Sequence, residues 1–237
     1  MIRLISHKKM GRSSLGWLES WFHFSFAEYY NSDNINYGVL RVINDDTIRP
    51  GTGFDLHSHR DMEIITYVID GELTHADSMN NQRTLKRGDV QYMSAGTGVV
   101  HSEHNLGEKP LRLLQIWILP DRRGLEPQYG DYRFSWDDRL NRWLHIVSEL
   151  GSTAPIQIHQ DINLYASALC AEKELTFEIH PGRQVYLVQI EVSASINGRV
   201  LTEKDAAEAA GEPLTIRAQT DSHLLLFEMA QEIGGNG

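Results

Sequence analysis

One cysteine, Cys170, among 237 residues leaves no partner for an internal disulfide. No stretch approaches the ~20 consecutive apolar residues that a membrane-spanning helix needs. The first residues carry Lys8, Lys9 and Arg12 with no apolar run behind them, so they do not read as a secretory leader, and a cytoplasmic, non-membrane protein is expected. Basic residues are also scarce: 22 Lys and Arg stand against 32 Asp and Glu, a formal net charge of −10. Duplex-binding surfaces neutralise phosphates with clustered Lys and Arg, so direct nucleic-acid binding is not expected. What remains is a globular chain, 41% hydrophobic, with enough apolar residues for one large or two small cores.

Short alternating segments dominate its text. Val39 to Ile43, Glu63 to Ile69, Val90 to Ser94, Leu111 to Ile118, Gln184 to Val192 and His223 to Met229 all read as strands. Gly71, Gly88, Gly96, Gly98, Gly182 and Gly198 fall at hairpin spacing rather than at the spacing of helical crossovers. An all-β, double-sheet barrel architecture follows. From Pro120 to Asn141 the alternation lapses into Pro, Gly and charged residues, a connection between two β units, which gives expected domains of 1–135 and 136–237. Within the second, Lys204 to Ala210 is rich in alanine and glutamate and reads as a helix or loop, and Gly234 to Gly237 as a frayed tail.

Two clusters carry chemistry: His57-Ser58-His59 and His101-Ser102-Glu103. Side chains at i and i+2 project from the same face of a strand, so each pair can aim at a common point. Three imidazoles and a carboxylate suit Fe, Cu, Ni, Mn or Zn, and four ligands on one side of an octahedral ion leave room for substrate or oxygen. His104 points to the opposite face from His101 and Glu103, so it is not expected to ligate. The second half has His145, His159, His180 and His223 but neither spacing, so it is expected to hold no metal; His180, beside Pro181-Gly182, reads as a turn residue.

Gly51, His57, His59, Glu63 and Gly71 resemble the first motif of the cupins, and Gly88, Gly96, His101 and Asn105 the second. The second motif carries about two extra residues before its histidine and has Ser94 where proline is usual. Those departures, in the run Met93 to Asn105, resemble the pirin family. So do Gly16 to Trp21 leading into Phe24 to Phe26, Leu40 to Asp46, Gln115 to Pro120, and His159 to Asp161. Two departures from pirins stand out: Ser58 replaces a proline between the first two histidines, and Phe22 followed by His23 replaces a histidine after the second tryptophan.

The resemblance implies a bicupin of two tandem jelly-roll barrels, the second degenerate and without metal. It implies Fe(II) as the natural ion, with His57, His59, His101 and Glu103 as metal ligands. Glu63 occupies the glutamate position of the general cupin motif and is the rival to Glu103, which is favoured because pirins take the carboxylate from the second motif. The implied activity is a metal-dependent dioxygenase similar to quercetin 2,3-dioxygenase, with a small aromatic substrate and O2, Glu103 also serving as the catalytic base. The alternative is a non-enzymatic, metal- or redox-responsive regulatory protein with a protein partner. Trp17, Trp21, Phe22, Phe24 and Phe26 are read as packing over the barrel, with a wall over the metal cavity as the functional alternative.

Overall fold

The computed structural model describes residues 1–231, so the expected tail Gly234 to Gly237 lies outside the described residues. Nearly all regular structure is strand, with two single-turn 3-10 helices at His7–Lys9 and Trp136–Arg139. The chain folds into two compact units that are not contiguous in sequence. An N-terminal unit comprises Gly11–Phe134 and Ile158–Gln160. A C-terminal unit comprises Met1–Met10, Ser135–Gln157 and the described residues from Asp161 onward. These units differ from a division at 135/136 in the first ten residues, in Ser135 and in Ile158–Gln160. The strand Ile2–Ile5 of the first ten residues pairs with Ala206–Ala210, with Ile2 opposite Ala209, and backbone pairing outweighs nearness along the chain.

Each unit is a seven-stranded sheet facing a four-stranded one, the two-sheet barrel of a cupin. In the N-terminal unit the larger sheet runs Gln128–Arg133, Asp89–Ser94, Glu63–Asp70, Leu111–Ile118, Leu40–Ile48, Leu18–Phe22, Gly11–Ser14. The smaller sheet runs Thr52–His59, Val99–Asn105, Glu72–Asp77, Gln82–Lys86. Glu63–Asp70 is rich in β-branched and aromatic residues and buried on both faces to its last residue, as a central strand should be. Ile48, Val68, Leu73, Leu85, Leu111 and Leu113 form one apolar cluster, and Ile64, Met93 and Val99 another. Each such side chain contributes about 1.5–3 kcal/mol by leaving water. Gly71 turns Glu63–Asp70 into Glu72–Asp77 at φ 80°, where a Cβ would stand 2.6 Å from the Pro110 carbonyl oxygen.

In the C-terminal unit the larger sheet has the order Ile2–Ile5, Ala206–Ala210, Arg183–Glu191, Ser222–Ala230, Ile162–Leu169, Leu144–Glu149, Ile156–Ile158. The smaller has the order Glu174–Phe177, Leu214–Ala218, Ser193–Ile196, Arg199–Thr202. Two expectations are corrected. Ala206–Ala210 is a strand rather than a helix or loop: it is paired on both sides, and Ala206, Ala207 and Ala209 are buried, so tertiary pairing overrides alanine's helical preference. Inside the supposed connection, Gln128–Arg133 adds an edge strand along Asp89–Ser94.

Candidate metal centre

The smaller sheet of the N-terminal unit assembles the site. Val99–Asn105 lies between Thr52–His59 and Glu72–Asp77, with His101 opposite His57 on one side and Asp77 on the other. Directly paired residues share a face, so the histidines meet on the barrel side of the sheet. A bulge between His101 and Glu103 shifts the register so that Glu103 lies opposite Phe54. Gly53 permits the close approach there, since a Cβ at that position would fall 2.3 Å from the Glu103 carbonyl oxygen.

His57, His59 and His101 come together, with ligand atoms all within 4.8 Å of one another. Their ring centroids lie 4.4 Å apart for His57 and His101, 4.9 Å for His59 and His101, and 4.8 Å for His57 and His59. His57 Nδ1 lies 2.8 Å from the Asp55 carbonyl oxygen, to which an Nδ1–H donates, so that Nε2 is the nitrogen left for a metal. Burial, reinforced by its neighbour His57, pushes His59 down to about 4. Burial, then His57, His59 and His75, pushes His101 down to about 2. Both rings are thus neutral near pH 7.

Glu103 is fully enclosed. Gln91 Nε2 donates to its Oε1 at 2.7 Å, Gln115 Nε2 donates to its Oε2 at 2.6 Å, and the Thr66 hydroxyl lies 3.2 Å from Oε1. Burial raises its carboxyl to about 7, against the opposing pull of those three groups. Glu103 does not stand in one mutually close set with all three expected histidines. Its close set is His75, His101 and Glu103, again with ligand atoms within 4.8 Å of one another. His75 was missed in the sequence, although His75-x-Asp77 has the i, i+2 spacing that drew attention to the other two pairs.

Glu63 is elsewhere. Its buried carboxyl accepts from Ser94 Oγ at 2.7 Å and has His159 Nδ1 3.5 Å away, and it belongs to neither close set among the described residues. His104 is part-exposed with Nε2 3.2 Å from Asp55, outside both sets. The aromatic run divides its work. Phe22 and Phe24 are core, whereas Phe26 meets Trp117 edge-on at 5.4 Å and Trp117 meets His59 edge-on at 4.9 Å. Trp17 packs edge-on against Phe54 at 5.2 Å, and Phe54 lies 6.2 Å from His57. Exposed His180 follows the turn reading, and neither close set draws on the C-terminal unit.

Do these residues fit a metal? Both ring nitrogens of His101 are buried with no hydrogen-bond partner, a costly state for an imidazole that no ion engages. Neutral imidazoles and one carboxylate are the donors a borderline divalent transition metal selects. The site fits.

Two cupin barrels, the first lined by imidazoles and a buried glutamate, define a bicupin whose candidate metal centre, among the described residues, lies in the N-terminal unit. The sequence comparisons refine the class. A family model described as Pirin matches residues 5–118, and one described as Quercetinase C-terminal cupin domain matches residues 145–229. The pirin-like protein of Caulobacter vibrioides is 41% identical over 94% of this chain and 97% of its own length. The quercetin 2,3-dioxygenase of Escherichia coli K12 is 38% identical over 97% of this chain and 99% of its own. The bacterial pirin YhhW from E. coli, solved in complex with nickel(II), superposes with a TM-score of 0.91 at 37% identity, covering 98% of this chain and 100% of that one. The chain belongs to the pirin family.

Proposed function

We propose that this protein is a metal-dependent dioxygenase that cleaves a flavonol or a similar enolic aromatic, with Fe(II) as its resident ion held by His57, His59, His101 and Glu103. The observation that carries the reading is the imidazole cluster in which burial keeps His59 and His101 neutral and both nitrogens of His101 are unpartnered, set beside a glutamate and walled by aromatic rings. A relative bearing the quercetin 2,3-dioxygenase name along nearly the whole length supports the choice of chemistry.

Bound there, the ion supplies Lewis acidity toward a substrate oxygen and a path for electrons to O2. The protein does the rest. Glu103 accepts the proton of the enolic hydroxyl, while Gln91 and Gln115 fix the carboxylate so that no reorganisation is needed when that proton arrives. Trp117 and Phe26 offer ring faces and edges to a planar substrate. The Trp117 indole N–H and the Tyr129 hydroxyl are buried and unpartnered, two donors available to substrate oxygens.

The test is oxygen uptake by anaerobically iron-loaded protein on adding quercetin, beside a His101→Ala variant treated identically. Stoichiometric uptake by the wild type that the variant lacks is expected. Silence from a wild type that has kept its iron would reject the flavonol reading.

A further inference from the structure

His75 is not one of the four residues of the proposed centre, yet it is wholly buried beside two of them. Its strand Glu72–Asp77 pairs with Val99–Asn105, Glu103 opposite His75 and His101 opposite Asp77, and its ligand atom lies within 4.8 Å of those of His101 and Glu103. One side of the ring is fixed by Asp77, whose Oδ2 lies 3.1 Å from His75 Nε2. The backbone N–H groups of Met79 and Asn81 donate to Asp77 Oδ1 at 2.9 and 3.0 Å, and the Asn81 amide donates to Oδ2 at 2.9 Å. With N–H donors on both oxygens Asp77 is a carboxylate, an acceptor only, so the His75 Nε2–H donates to it and Nδ1 bears the lone pair. That Nδ1 is buried without a partner.

His101 is the complement. An imidazole that gives one nitrogen to an ion carries its proton on the other, and that N–H needs an acceptor. His57 has the Asp55 carbonyl oxygen in this role, whereas both nitrogens of His101 are buried without a partner. The His75 and His101 rings stand 5.4 Å apart between centroids at 53°. Glu103 as a metal-bound carboxylate has no proton to offer His75, and Tyr129 covers the face of the His75 ring at 4.7 Å and 15°, whereas the Nδ1 lone pair lies in the ring plane. We propose that His75 is a positioning residue for the metal centre: its Nδ1 accepts the N–H that His101 keeps when its other nitrogen is on the ion. The link closes directly on a small turn of the His101 ring or through one bridging water. Asp77, His75 and His101 then form a chain that fixes the tautomer and orientation of His101 and makes its metal-bound nitrogen a stronger donor. The proposal rests on the centre of His57, His59, His101 and Glu103.

The test loads full-length apo protein with Cu(II) as the probe. It reads affinity by chelator competition and, by electron spin-echo modulation, the uncoordinated nitrogen of each bound imidazole, whose signal shifts when its N–H gains or loses an acceptor. His75→Phe should weaken Cu(II) binding ~10- to 100-fold and shift the signal of one imidazole. His75→Gln, whose amide donates to Asp77 and leaves an oxygen acceptor for His101, should restore most of both. Asp77→Asn keeps the ring but donates to Nε2, which moves the His75 proton to Nδ1 and sets donor against donor, so it should match His75→Phe. Apo unfolding midpoints certify that each variant is folded, and Asp77→Asn carries the test if His75→Phe does not fold. Folded variants that lose affinity with no shift in the nitrogen signal would overturn the proposal and make His75 a packing residue. Folded variants that change neither would overturn it outright. A wild type that binds no copper would overturn the metal centre with it.

Discussion

The small sheets of the two units have the same strand order and opposite chemistry. In the N-terminal unit His101 sits between His57 and Asp77; in the C-terminal unit Ile216 sits between Leu175 and Ile196. Where one barrel continues to Glu103 and His75, the other has Ala218 and Ala194, both buried in its apolar cluster. The difference teaches that the metal centre is a matter of alternate residues on an unchanged frame. A strand's inward positions can be hydrocarbon, which stabilises the fold, or imidazole and carboxylate, which burden it until an ion arrives.

The comparison can be broken most severely at its two central residues. His101→Ala should remove the bound metal, read by elemental analysis, and leave the apo unfolding midpoint near that of the wild type. Ile216→Ala should do the reverse, leaving the metal content of folded protein unchanged while costing about 2–5 kcal/mol in denaturant unfolding. A smaller effect is expected from Gln115→Leu, which strips one donor from Glu103 and should weaken metal binding ~10- to 100-fold in chelator competition.

The smallest effect belongs to an acidic group of the C-terminal unit. Burial alone would raise Asp205, but the backbone N–H of His7 and the hydroxyl and N–H of Thr202 outweigh it and hold the carboxyl below its ordinary 3.8. A depressed folded value means stability present above the unfolded pKa and lost as pH falls through the folded one. Acid unfolding followed between pH 5 and about 2 should lose part of its slope in Asp205→Asn. An unchanged slope would remove Asp205 from the account.

Much of this was legible in the sequence because alternation and burial coincide. Glu63–Asp70 and Leu111–Ile118 match the expected strands almost to the residue, since β-branched runs between turns have few other ways to be buried. Ala206–Ala210 was not legible, because its alanines carry no strand signal and only partners from Ile2–Ile5 and Arg183–Glu191 make it one. Nor was Gln128–Arg133, which follows Pro127 and contains Gly130. At the site, His57, His59 and His101 stood out by spacing within glycine frames. His75-x-Asp77 had the spacing without the frame, and its meaning comes from register with Glu103. Thr66, Gln91 and Gln115 are single polar residues on separate strands, and no linear pattern announces that they converge on one carboxylate.

Thr52–His59, which carries two of the histidines, is the edge of its sheet, with Val99–Asn105 as its single ladder partner among the described residues. A strand held from one side opens at a fraction of the energy of one held from both, so its amides exchange with solvent ahead of those of Val99–Asn105. The residence time of an ion on His57 and His59 is then governed by the fraying of a backbone ribbon as well as by bonds to imidazole. In the proposed centre, half of the coordination sphere hangs on a door, and half on the wall.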